Sequence, residues 1–132
     1  MGSTVRFQEV RNNGDQRGFS FTVPEEALAF LGSVGDVHLS SVLPSAVRGN
    51  HYHTMRREVI LVHYHTEWSF HWDEGGGTPA QHRQFRGAGA VLVLLEPGAS
   101  HAVRNDGDGS LLLAAMLSAP YDPNETVARG VV

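Results

Sequence analysis

Short runs of alternating apolar and polar residues fill most of this chain, and glycine, proline, asparagine and aspartate punctuate them. That rhythm predicts many short strands joined by turns, as in an all-β sandwich or barrel. Residues 5–10 read as a first strand, Asn12-Asn13-Gly14-Asp15 as a turn, and residues 19–23 as a second strand. Glu25–Leu31 breaks the rhythm and predicts one short helix. Pro24 suits its first turn, Glu25 and Glu26 sit where the helix dipole favours them, and Gly32 can close the end. Strands then follow quickly: residues 37–42, ended by Pro44, then Val47–His53, Glu58–Tyr64 and Trp68–Trp72. Residues 73–79 read as a loop and residues 91–95 as a strand apolar enough to be buried on both faces. Pro97-Gly98 turns the chain into a strand over 101–104, the run 105–109 is a hairpin turn, and residues 110–117 form the last long strand. Residues 120–132 read as an irregular tail and residues 1–4 as an unordered start. No boundary divides the chain, so residues 1–132 are expected to form a single domain.

Composition narrows the partners. The chain has 132 residues, 41% hydrophobic and 18% charged, enough for one packed core. A net charge of -4 and scattered basic residues give no face for nucleic acid. The longest apolar run, residues 90–95, is too short to span a membrane, and the N-terminus shows no secretory pattern. Cysteine is absent, which fits a cytoplasmic protein and restricts any metal to nitrogen and oxygen ligands.

Eight histidines are present, and their placement matters more than their number. His51 and His53, two apart on an expected strand, point to one face and can grip one cation. Glu58 is five residues on, so it joins them only if Thr54-Met55-Arg56-Arg57 turns the chain. It would then open the adjacent antiparallel strand and face His53. His101, just after the Pro97-Gly98 turn, is the candidate fourth ligand. Three imidazoles and a carboxylate suit Zn, Fe, Mn, Co, Ni or Cu, with open positions for water or substrate. His63-Tyr64-His65 repeats the His51-Tyr52-His53 pattern, but strand parity turns both of its histidines away from a metal placed at Glu58. Trp68, Phe70 and Trp72 share one face and are read as core or dimer-interface packing. His38 and His82 have no evident partner and are read as structural.

These residues resemble the cupin superfamily. His51-Tyr52-His53, four residues and Glu58 are similar to its first motif. Gly98-Ala99-Ser100-His101-Ala102-Val103-Arg104-Asn105 is similar to the end of its second. Ser45, His65 and Glu96 depart from the pattern at turn positions and leave each ligand position filled. The resemblance implies a single double-stranded β-helix (jelly-roll) barrel holding one divalent metal ion on His51, His53, Glu58 and His101. Arg48-Gly49-Asn50-His51-Tyr52-His53 and the tail Tyr121-Asp122-Pro123-Asn124 resemble cupins acting on nucleotide-activated sugars. Among these are the C-terminal cupin domain of the bifunctional capsular polysaccharide epimerase/reductase and the dTDP-4-dehydrorhamnose 3,5-epimerases.

That likeness implies a metal-dependent epimerase or isomerase acting beside a keto group of a nucleotide sugar. Such chemistry needs an enolate stabiliser and a proton-transferring side chain. Candidates for the latter are Tyr121, His63 and His71. Arg48 offers paired donors to a phosphate or carboxylate. Family habit and apolar outer strands point to a homodimer. Two other functions fit the same ligand set: a metal-dependent dioxygenase or lyase, and a non-catalytic barrel that binds a sugar or effector.

Overall fold

The computed structural model describes residues 4–132. Ten strands and one helix follow in the order β1 (Val5–Glu9), α1 (Glu25–Leu31), β2 (Asp36–Val42), β3 (Val47–His53), β4 (Glu58–Tyr64), β5 (Trp68–Trp72), β6 (Gln81–Phe85), β7 (Gly89–Leu95), β8 (His101–Asn105), β9 (Leu111–Leu117) and β10 (Thr126–Ala128). They build two five-stranded antiparallel sheets, β1-β7-β4-β9-β2 and β10-β3-β8-β5-β6. Among the described residues no ladder joins the two. The expected barrel is therefore a jelly-roll sandwich of two facing sheets, not one closed cylinder.

Burial follows the side-chain period of two. On β4, Ile60, Val62 and Tyr64 point between the sheets, and β7 adds Val91, Val93 and Leu95. The alternate residues Val59, Leu92 and Leu94 face outward, where Ala27 and Leu31 of α1 cover them. Both faces of β4 and β7 are thus dry, which is why their sequences lack clean alternation. Trp68, Phe70 and Trp72 lie in the interior as core. Phe7 meets Phe70 and Trp72 edge-on at ring distances of 5.6 and 5.2 Å, filling one side of the sandwich. The side under β2, β3, β8 and β9 keeps a cavity.

Asn105, the last residue of the second motif, locks a corner. Its buried amide donates to the carbonyls of Val42 at 2.8 Å and Gly109 at 2.6 Å, and its Oδ1 accepts from the Gly107 amide at 3.0 Å. Asn105→Ala strands these groups and is expected to cost about 2–4 kcal/mol, read as a lower urea midpoint.

Four expectations fail in detail. No strand forms over 19–23. Phe19 and Phe21 instead reach the outer face of β4, with Phe19 stacked on His63 at 4.1 Å, so their apolarity serves side-chain contact and not strand pairing. An unexpected strand forms at Gln81–Phe85, where only Phe85 is buried, and an edge strand of this kind carries no hydrophobic period. Residues 120–132 are not irregular throughout, since β10 pairs with β3 in the register Thr126↔His53. Thr4 is tied down as well, its amide donating to Glu74 Oε2 at 2.9 Å, while residues 1–3 lie outside the described residues. Among those residues no helix is long and apolar enough to cross a membrane.

Candidate functional site

A cavity of about 440 Å³ opens between the sheets and draws walls from both. Arg48, His51 and His53 on β3 and His101 on β8 line one side, and Glu58 on β4 lines the other. In a regular strand Arg48 and His51 would face opposite ways. A bulge between Gly49 and His51 inserts one residue and turns all three β3 side chains into the cavity. Gly49 makes the bulge possible. Its φ is 112°, and a Cβ there would stand 2.5 Å from the His101 carbonyl oxygen. Asn50, at φ 58°, is the extra residue, and its Oδ1 accepts from the Val131 amide at 2.8 Å.

Glu58 does face His53, but not from a neighbouring strand. β4 pairs with β7 and β9 in the other sheet, so the 54–57 segment carries the chain across the sandwich. Glu58 Oε1 lies 3.1 Å from His53 Nε2 and 3.0 Å from His101 Nε2. His51, His53 and His101 each offer a ring nitrogen within 4.8 Å of the others. Of the four residues proposed from the sequence, His51, His53 and His101 therefore converge as one ligand group and Glu58 meets the last two; His53, Glu58 and His101 are buried.

The remaining ring nitrogens show what the cluster needs. His101 Nδ1 is 3.0 Å from the Ala99 carbonyl, and His53 Nδ1 is 3.0 Å from Glu125 Oε1. Both partners are acceptors, so both Nδ1 atoms carry hydrogen. In neutral rings this leaves two Nε2 lone pairs aimed at one carboxylate oxygen. Two added protons or one divalent cation would relieve that repulsion. Separations of 3.0 and 3.1 Å are also those of N–H···O hydrogen bonds, so it is the donor types, three imidazoles and one carboxylate, that suit a divalent ion. The donor set thus fits a metal ion.

The electrostatics show the same pull on positive charge, whether proton or cation. Burial, then the neighbouring His101, pushes the His51 imidazole down to about 4, so it is neutral with a free lone pair at physiological pH. Burial opposes charge on His53, yet Glu58 and Glu125 outweigh it and hold that ring above the ordinary value. Glu58 is likewise disfavoured by burial but held well below the carboxylate range by His101 and His53.

The other candidates separate. Arg48 lines the cavity, donates from Nε to the Ser41 carbonyl at 2.7 Å, and forms no ion pair among the described residues. Tyr121 also lines it and is 69% exposed, which places its phenol at the mouth. His63 and His71 do not line it. His63 takes an outward position on β4 under Phe19, and His71 faces out from β5, bonded to Ser69 Oγ at 2.8 Å and stacked on His82 at 5.4 Å. Both follow from strand parity, because each is an odd number of residues from an inward neighbour. His38, read as structural, in fact lines the cavity 3.7 Å from Asp36.

Two buried residues were missed. Glu125 accepts from His53, from the amides of Met55 and Arg56 at 3.1 and 2.9 Å, and from Arg56 Nε at 2.7 Å. Although burial pushes its carboxyl up, the Arg56 and Met55 amides and the Arg56 guanidinium bring it down to about 2. Arg56 spans from Glu125 to Asp36 Oδ2 at 3.2 Å. Two basic residues inside a tight turn were the available signal, since an arginine there needs an acidic partner if it folds inward.

No family model matches the chain, and no curated protein matches it by sequence. Its fold has clear counterparts among solved structures. A dTDP sugar isomerase from Desulfovibrio desulfuricans is 18% identical over 96% of this chain and 84% of its own, with a TM-score of 0.77. ChmJ, a 3'-monoepimerase from Streptomyces bikiniensis solved with dTDP-quinovose, is 20% identical over 95% and 69%, at 0.76. QdtA, a 3,4-ketoisomerase from Thermoanaerobacterium thermosaccharolyticum solved with TDP-4-keto-6-deoxyglucose, is 12% identical over 96% and 88%, at 0.70. The chain shares its two-sheet fold with these sugar-nucleotide isomerases and epimerases.

Proposed function

We propose that this chain is an epimerase or isomerase that moves a proton beside the keto group of a nucleotide-activated sugar. One divalent metal ion would be held by His51, His53, Glu58 and His101. The observation that carries this reading is the shared cavity, where the cation-demanding cluster, Arg48, which forms no ion pair among the described residues, and the Tyr121 phenol meet. The likeness to isomerases and epimerases of dTDP sugars supports the substrate class.

Each part of the cavity has a chemical task. A bound divalent ion supplies a Lewis acid for the sugar carbonyl and lowers the cost of the enolate. Arg48 at the rim offers guanidinium donors to a diphosphate. The apolar side chains of Ile60, Leu113 and Leu117 exclude water behind the reacting carbon. Of the three proton-transfer candidates only Tyr121 lies on the cavity, so its Oη is assigned the proton. Asp36 and Arg56 also line the cavity, but they pair with each other and Arg56 pairs with Glu125 as well.

Two measurements test this. NMR of the protein with TDP-4-keto-6-deoxyglucose and related keto sugars is expected to show an epimer or a 3,4-keto isomer accumulating. No product across the panel, with oxygen uptake or tight unreactive binding instead, would favour the dioxygenase or effector-binding function. Elemental analysis is expected to find about one metal per chain, falling sharply in His101→Ala. Equal metal in both proteins would remove the four-ligand assignment.

A further inference from the structure

Glu125 enters the site from the turn just before β10, 72 residues beyond the ring it touches. We infer that Glu125 is a positioning residue, which holds the His53 ring with hydrogen on Nδ1 and the Nε2 lone pair aimed into the cavity. The inference deepens the proposed function and rests on its reading of His53 as a cavity ligand.

The geometry leaves the carboxylate no freedom. Oε1 accepts the His53 Nδ1–H at 3.0 Å and the Arg56 Nε–H at 2.7 Å. Oε2 accepts the amides of Met55 at 3.1 Å and Arg56 at 2.9 Å. The backbone joins in, since the Glu125 carbonyl accepts the Thr54 amide at 3.0 Å, continuing the β3–β10 ladder by one residue. Glu125 thereby grips His53 and also the 54–57 bend that delivers Glu58 to the opposite sheet. One side chain fixes the orientation of one ligand and the path to the next. Carboxylates that bind the far nitrogen of a ligating imidazole set its tautomer, and their loss typically weakens metal binding by about 10–100-fold. Glu125 is only 6% exposed, which keeps solvent from its place, and the Thr126 hydroxyl near the same nitrogen stands farther off at 3.4 Å.

Substitution by glutamine separates this role from packing. The amide has nearly the shape of the carboxylate but only one acceptor atom. It cannot serve His53 and Arg56 on one side and two backbone amides on the other. Two readouts follow, both on the full chain: zinc affinity by competition with a chromophoric chelator, and the tautomer of His53 by nitrogen-15 NMR of metal-free protein at alkaline pH. The wild type is expected to show hydrogen on Nδ1. Glu125→Gln is expected to show mixed tautomers and about 10–100-fold weaker zinc binding, with Glu125→Asp in between. An unchanged tautomer with unchanged zinc affinity in Glu125→Gln overturns the inference. If Glu125→Gln fails to give a folded near-ultraviolet spectrum, Glu125→Asp decides by the same two readouts. If the wild type takes up no zinc, the cation reading fails, and the tautomer comparison alone decides the role of Glu125.

Discussion

Tyr121→Phe is expected to leave metal binding and the fold intact while slowing turnover of a keto sugar nucleotide by about 10²–10⁴-fold, the usual worth of a positioned acid or base. The side chain is 69% exposed, so deleting its hydroxyl removes no buried contact. Its ring still lines the mouth of the cavity, and substrate binding should change little. The loss should therefore fall on kcat and leave KM within a few-fold. A loss confined to KM, with kcat unchanged, would make Tyr121 a binding group only. His63→Ala and His71→Ala serve as comparisons, because both rings lie outside the cavity, and neither should reproduce the effect.

Gly49→Ala should be the most damaging single methyl addition in the site. The new Cβ would sit 2.5 Å from the His101 carbonyl oxygen and 2.9 Å from the Ala102 Cα, both backbone atoms that cannot rotate away. The φ of 112° adds strain of about 1–3 kcal/mol for any side chain. Relief would push β3 from β8 or remove the bulge, and a slip of one residue would turn Arg48 away from the face that holds His51. Metal content and activity should fall together, with a lower unfolding temperature. A variant that keeps full metal content would show that the bulge does not set the ligand geometry.

Much of this architecture is legible in the residues themselves. Glu25–Leu31, Val47–His53, Glu58–Tyr64 and Trp68–Trp72 form with the bounds that turn residues and periodicity suggest. They do so because each buries a face whose period matches its backbone. The convergence of His51, His53, Glu58 and His101 was legible too, through their motif spacing. What the spacing hid was the route. Glu58 was expected on a strand beside His53 but arrives from the opposite sheet, since local sequence does not say whether a bend returns along a sheet or crosses between two. Glu125 was hidden for a related reason: it directly follows the 121–124 tail, but its contacts lie about 70 residues away and the tail itself does not announce them. The pairing of Asn50 with Val131 and Val132, which anchors the chain end against β3, belongs to the same class of long-range contact.

Phe19 illustrates the opposite error. Its run of apolar residues looks like a strand but lies across β4, where one face of His63 needed cover. Ser45 shows how a departure from a motif is absorbed. It takes a φ of 69°, a left-handed conformation that glycine adopts freely and serine only at some cost in strain.

Proton exchange with solvent is the sharpest check on the proposed reaction, because it does not depend on which isomer leaves the site. The protein should be incubated in deuterium oxide with TDP-4-keto-6-deoxyglucose and followed by proton NMR. The proton signal from a carbon beside the ketone is expected to disappear at a rate set by the protein, and to persist with Tyr121→Phe. Signals that persist with the metal-loaded wild type, at the rate of buffer alone, would contradict the proposed reaction.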